Sequence, residues 1–464
     1  TTLISAIGTG IGDECKPEKA RYHKIIIMVD ADSTTYDTPI LLFNKKTGLF
    51  EHWLIGDFVE KCTNPEDYQV FSYNGGRLEL KDVYQVLKKP VRAKIFEIKT
   101  VKKFSICVTG DHSVFVYENG KVIPKETRKL KLGDLLVIPN QIPSLQRRIV
   151  LDLTTALRDL PRTQKKRILL RFDKRDLTFI PENALIDLDL TSWQKIKACR
   201  RKQFSRIEAA KRVRPRLKDL KKYLDLIGLD LNTFEYKVLI TFYDFEKVFG
   251  YDEKLLEKAK FFNFNTAHPF DLKVKLDQDV AYLLGIYLGD GCYSPIRGSP
   301  NRFLLGFNAE DKLHYLKRLK RILKERFNAK IIQQQHGKSL VLHFHSFNFA
   351  LLLKTLGLLG VKGSKKFIPN VFYNAPLKVK LALLEGLLHS DGYIHPKERR
   401  IQFSSISRNL MLGVLTLLRQ IGVFPAFEVI KANKRCKRNN KTRYNVFIRG
   451  SCLLYTSPSP RDRG

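Results

Sequence analysis

One phrase occurs twice in the second half of the chain, as Leu283-Leu-Gly-Ile-Tyr-Leu-Gly-Asp-Gly291 and as Leu384-Glu-Gly-Leu-Leu-His-Ser-Asp-Gly392. Each is an apolar segment of helical length with small residues inside it, an acid at its end and a glycine stop. Glycines on one helix face let two such helices approach closely. The repeat therefore predicts a helix pair that delivers Asp290 and Asp391 to one place. Two like charges brought together are unfavourable unless a divalent cation sits between them, and Mg²⁺ (or Mn²⁺) suits carboxylates, water and phosphate oxygens. Asp290 and Asp391 are the candidate metal ligands, and metal-assisted phosphodiester hydrolysis is the reaction they suggest.

The segments downstream of the two phrases repeat as well. After the first come strand 302–307, basic helix 310–327, strands 330–335 and 339–345, and helix 347–358. After the second come strand 400–405, helix 407–421, and strands 426–430 and 444–448. Two such units related by a pseudo-twofold axis resemble the monomeric LAGLIDADG endonucleases, with the resemblance covering residues 274–450. It implies an αββαββα domain whose twisted sheets form a saddle over the DNA major groove. The segment Lys366-Phe-Ile-Pro369 is similar to that family's Lys-x-Ile-Pro element, which implies that Lys366 lies near the active site, positioning water or stabilising the phosphorane. Lys431 and Lys434 are candidates for a symmetry-related second lysine. On helix 310–327, Leu313, Leu316, Leu323 and Phe327 form an apolar stripe while Lys317, Arg318, Lys320, Arg321 and Lys324 cover other faces, a pattern suited to neutralising a DNA backbone.

The 464 residues allow two to four domains at about 150 residues each. A net charge of +36 alongside 44% hydrophobic residues joins a foldable interior to a surface that attracts polyanions, which makes double-stranded DNA the expected partner. The seven cysteines are odd in number and form no Cys-x-x-Cys pair, as in a reduced protein without a zinc site. No apolar run reaches the roughly 20 residues that span a bilayer. No membrane or small-molecule partner is expected, and the cytoplasm of a prokaryote, near the nucleoid, is the expected location.

The chain opens on Gly8-Thr-Gly-Ile-Gly12 and then runs through Ile25-Ile-Ile-Met-Val-Asp-Ala-Asp32, an apolar strand ending in alternate acids. Asp30 and Asp32 share one side of an extended chain and could hold one Mg²⁺. These words resemble the Toprim segment of the DNA gyrase B subunit, a type II topoisomerase, in which such acids bind metal. At Ser33 the text changes. The stretch from Ser33, the later Thr109-Gly-Asp-His112 and Leu130-Lys-Leu-Gly-Asp-Leu135 resemble the mostly-β Hint domain of inteins. That resemblance implies that Ser33 Oγ attacks the Asp32 carbonyl, converting an amide to an ester, while His112 protonates the leaving nitrogen and Thr109 hydrogen-bonds the junction. An insertion at catalytic carboxylates disables the host unless it is removed after translation, which is itself a reason to expect splicing.

Residues 141–273 match neither module and read as basic helical stretches punctuated by Pro161, Pro181 and Pro215. Residues 205–213, with Tyr223 and Leu224 after a turn, look like a helix-turn-helix, and a DNA-recognition insert or a plain helical linker fits equally. No His-Asn pair of the kind that closes an intein occurs, so complete splicing by this sequence is expected to fail. Residues 451–464 read as a tail of cloning or assembly origin. The expected organisation is thus an α+β multidomain chain: host fragment 1–32, Hint region 33–140, basic insert 141–273, endonuclease 274–450 and tail 451–464. The function expected is a homing endonuclease cutting the intein-free gyrase B gene. A non-cutting nucleic-acid binder of the same fold and a bare gyrase fragment are the alternatives.

Overall fold

A computed structural model describes residues 33–449 except 89–91, 190, 193, 195, 197–213, 264–268, 297–300, 309–312, 338, 396–397, 399 and 433–440. Asp30, Asp32, Lys434, the helix-turn-helix segment 205–213 and the tail therefore lie outside the described residues.

The first part is built from antiparallel strands. Pro39–Asn44 pairs with Leu49–Leu54 on one side and Tyr68–Asn74 on the other, with Arg77–Asp82 at the edge. A hairpin, Ile95–Lys99 with Ser105–Thr109, and a three-stranded sheet of Lys121–Glu126, Ser113–Glu118 and Leu135–Leu136 follow.

A short ribbon, Val150–Asp152 against Lys273–Lys275, then brings the two ends of the middle segment together. Between them lies a five-stranded antiparallel sheet in the order Leu185–Leu188, Tyr236–Thr241, Ile168–Asp173, Lys260–Asn263, Pro269–Phe270. This differs from the helical segment expected from the sequence. Runs such as Ile168-Leu-Leu-Arg-Phe-Asp173 are short and apolar, and their periodicity does not separate a buried strand from a buried helix. Tyr223 and Leu224 sit on helix Leu217–Leu226 and are 6% and 1% exposed, which makes them core residues.

The third part is a tandem duplication. Helix Gln278–Asp290 leads into a sheet ordered Gly291–Tyr293, Arg302–Asn308, Ser339–His345, Lys330–His336. Helix Leu377–Asp391 leads into one ordered Gly392–His395, Arg400–Ser405, Arg443–Arg449, Ala426–Ile430. Both sheets share one topology, and each gains a short strand directly after its motif that is not expected from the sequence. Helices Leu313–Phe327 and Phe347–Thr355 back the first sheet and Arg408–Gln420 the second. Gln278–Asp290 starts on an Asp277 cap and is buried all round from Val280 to Leu288, as a helix at the centre of a domain must be. No helix among the described residues is long and apolar enough to cross a membrane.

Candidate nuclease and splicing sites

The two motif helices touch through glycine. A Cβ on Gly285 would lie 2.2 Å from the Leu383 carbonyl oxygen, and one on Gly386 would lie 2.2 Å from that of Tyr282. Only a hydrogen fits there, so backbone meets backbone. One turn further, a Cβ on Gly289 would stand 3.3 Å from the Asp391 amide nitrogen. Asp290 and Asp391 are the terminal residues of the two helices and thus come together at one end of the pair.

Lys366 reaches the same place. It is 5% exposed, and its ammonium donates to the carbonyls of Tyr287 (2.8 Å), Gly289 (3.1 Å) and Gly291 (2.8 Å). All three lie at or just past the C-terminal end of the helix, the negative pole of its dipole, where the Tyr287 carbonyl also accepts from the capping Gly291 amide. Burial pulls the amine down to about 8, against the opposing pull of Asp391 and Asp290. The Lys-x-Ile-Pro resemblance assigns this lysine to water or the phosphorane. Its three donors instead hold main-chain oxygens, so in this conformation it braces the helix end that carries Asp290.

The chemistry of the donors fits a hard divalent cation: two carboxylates and helix-end carbonyls, oxygen ligands of the kind Mg²⁺ or Mn²⁺ takes. Among the described residues no cluster of three or more His, Cys, Asp or Glu forms, so a cation here would complete its shell from water and phosphate.

The helices cover one side of each sheet. Phe303, Leu305, Leu342 and Phe344 point into the core, so Arg302, Leu304, His343 and His345 face the other way. Arg302 donates to His343 Nδ1 at 2.7 Å. Burial, followed by the charges of Arg302 and Lys330, lowers the basicity of His345. On the second sheet Gln402 donates to Ser404 Oγ, which donates to Asn445 Oδ1, each at 2.9 Å. Asn445 is buried, whereas Arg302, His343, His345, Gln402 and Ser404 are partly exposed; sequence reasoning missed these five, although strand alternation opposite the phenylalanines marks them.

The basic helix stands in the other layer. It buries Leu316, Leu319, Ile322, Leu323 and Phe327 behind the first sheet. Arg318 lies 3.9 Å over the Tyr282 ring and donates to Glu385 at 2.9 Å, Arg321 pairs with Asp279 at 3.0 Å, and Lys320 donates to Gln333 at 2.5 Å. Lys317 and Lys324 are exposed on the same helix. All five thus stand on a helix packed behind the first sheet. Lys431 is exposed beyond the last paired residue of its strand, and its charge reaches Glu97 of the splicing hairpin, a carboxylate held low first by Lys99.

At the splicing end, Thr34 bridges to Val108 and Thr35 N donates to the Cys107 carbonyl at 3.1 Å. This pairing presses Ser33 against Thr109. Ser33 N donates to Thr109 Oγ1 at 3.2 Å, and Thr109 N donates to the Ser33 carbonyl at 3.0 Å. Thr109 is 4% exposed. The main chain of His112 is tied to Thr109 and Thr127, while its Nδ1 is buried with no hydrogen-bond partner. Ser33, Thr109 and His112 are thereby gathered in one place, although 76 positions separate the first two.

A mostly-β splicing half joined to a pseudo-twofold helix pair with terminal carboxylates defines an insertion element that carries a nuclease domain. A model of the intein splicing domain matches residues 48–409, and a LAGLIDADG-like domain model matches residues 378–456. The chain belongs to the intein splicing domain family and carries a LAGLIDADG homing endonuclease domain.

Curated relatives include a DNA polymerase of Thermococcus sp. (strain GE8), 24% identical over 74% of this chain and 21% of the polymerase. An uncharacterized protein of Methanocaldococcus jannaschii is 24% identical over 83% of this chain and 38% of its own length. The chain thus spans about a fifth to two fifths of these relatives. Among solved structures, mesophilic variants of the homing endonuclease I-DmoI match 39% of this chain and 93% of theirs at 18% identity and TM-score 0.30. An intein from a hyperthermophile matches 27% of this chain and 75% of its own at 23% identity and TM-score 0.20.

Proposed function

We propose that this chain is a homing endonuclease that makes metal-dependent, site-specific double-strand breaks in DNA, carried by an intein whose host is a gyrase B subunit. The observation that carries the nuclease reading is the glycine crossing of the motif helices, which ends in Asp290 and Asp391 side by side with Lys366 beneath. The intein-free host gene is the target, and repair from an occupied copy would then duplicate the element. The host assignment rests on the resemblance of residues 1–32 to a Toprim segment.

Asp290 and Asp391 would hold a divalent metal, which would supply Lewis-acid activation of the scissile phosphate and of an attacking water. Lys366 keeps the first helix end from fraying, so that Asp290 stays aligned. The sheet faces turned away from the helices, with Arg302, His343 and His345 on one and Gln402 and Ser404 on the other, offer donors and acceptors of the types that read base edges and phosphates. In splicing, Ser33 Oγ adds to the Asp32 carbonyl as its hydroxyl proton passes to His112, and the C–N bond breaks as His112 returns a proton to the Ser33 nitrogen, so that an ester replaces the amide. Thr109, already hydrogen-bonded to the Ser33 main chain, holds that nitrogen in place.

The test is cleavage of an intein-free gyrase B gene by the purified chain with and without Mg²⁺, beside Asp290→Asn and Asp391→Asn. Site-specific cutting that needs metal and drops by about a thousandfold in each variant is expected. Tight, sequence-specific binding without cutting would leave a DNA-binding protein of the same fold in its place.

A further inference from the structure

The bridge between the two nuclease halves, which carries Lys366, is gripped by the splicing sheet. Asn374 is fully buried and pairs with the main chain of Phe50 in both directions, accepting from its amide at 2.8 Å and donating to its carbonyl at 2.8 Å. Asn370 Oδ1 accepts from the His52 amide at 3.0 Å. The Tyr373 ring stacks on His52 with centroids 5.5 Å apart. Two asparagines thus take the place of a partner strand along the outer edge of Leu49–Leu54, satisfying the Phe50 N–H and C=O and the His52 N–H.

The grip is continued on the other side of the bridge. Arg147 N donates to the Asn374 carbonyl at 2.8 Å, and the Leu377 amide donates to Gln146 Oε1 at 2.7 Å. Between Asn370 and Lys366 the chain is stiff: Pro369 follows Ile368, which is 2% exposed and fills the space left by Gly413, and Ser407 donates to the Lys366 carbonyl at 2.5 Å. A displacement of Asn370 is therefore passed along four residues to the ammonium that braces Asp290.

We propose that the splicing sheet forms part of the nuclease site at one remove: Asn370 and Asn374, by clamping the bridge to Phe50 and His52, act as positioning residues for Lys366 and the metal-holding carboxylate Asp290. Loss of the clamp leaves the fold of each half but loosens the helix end, so metal is held less well. The inference rests on the reading of Asp290 and Asp391 as a metal site.

The experiment titrates Mn²⁺ into the full chain without DNA and follows free Mn²⁺ by electron paramagnetic resonance, for the parent, Asn370→Ala, Asn370→Asp and Asp290→Asn. Asn370 acts only as an acceptor toward His52, so aspartate keeps that bond and alanine removes it. Asn370→Ala is expected to weaken Mn²⁺ binding about fivefold or more, with Asn370→Asp restoring most of the affinity. Equal affinity in the parent and both Asn370 variants, with circular dichroism unchanged, would overturn the coupling and leave Ser407 and Ile368 as sufficient anchors. If the parent itself binds no Mn²⁺ that Asp290→Asn abolishes, the metal-site reading fails instead, and the two failures are told apart.

Discussion

At the residue scale, the nuclease site depends on atoms that are missing. Gly386 sits where a methyl group would strike the Tyr282 carbonyl at 2.2 Å, and the obstacle is backbone, which cannot rotate aside. Gly386→Ala is therefore expected to cost about 3 kcal/mol or more, at the upper end of what overpacking does, as read by urea denaturation. Cutting should fall with it, because separating the helices separates their terminal acids. The two aspartates and their convergence were legible in the sequence, since a phrase of apolar and small residues ending in Asp-Gly was written twice. Lys366 was legible only as a neighbour. That its ammonium turns to the carbonyls of Tyr287, Gly289 and Gly291 depends on a helix end some 75 to 79 residues earlier in the chain.

At the scale of elements, strand Leu49–Leu54 carries its own pH sensor. Burial lowers His52 to about 4 from an ordinary value of 6.5, and its Nε2 is buried with no hydrogen-bond partner. The unfolded chain then takes up a proton on this histidine between pH 6.5 and 4, whereas the folded one does not. Stability contributed by the neutral ring is complete above about 6.5 and is lost as the pH falls toward 4. His52→Phe should keep the stacking on Tyr373 and lose less stability over that interval than the parent, by about 1–3 kcal/mol in denaturant titrations at the two pH values. The elements least legible in sequence were those of the middle segment. Its strands are short apolar runs between long basic stretches, and their pairing partners lie as much as 95 residues apart, as in Ile168–Asp173 with Lys260–Asn263. Local periodicity carries no record of such pairing. The basic helix Leu313–Phe327 was legible as a helix, but its layer was set by which face of the first sheet its leucines found.

At the scale of the whole molecule, a formal charge of +36 on 464 residues is far more than folding requires and is spread over all three parts. Binding to duplex DNA should accordingly weaken by roughly a thousandfold between about 50 and 200 mM salt if six or more phosphates are neutralised. Fluorescence anisotropy with a short duplex measures this, and an affinity indifferent to salt would mean that the charge serves something other than a DNA backbone. The sequence by itself determined the duplicated helix motif, the acids that end it, the β-rich splicing half and the strongly basic charge, because each is written in local pattern or in composition. Only the tertiary structure decided which faces of the two sheets stay open, what Lys366 holds, and that Asn370 and Asn374 fasten the nuclease bridge to the splicing sheet. Those are contacts between segments as much as 324 residues apart, and long-range packing, unlike period and charge, leaves no mark on neighbouring letters.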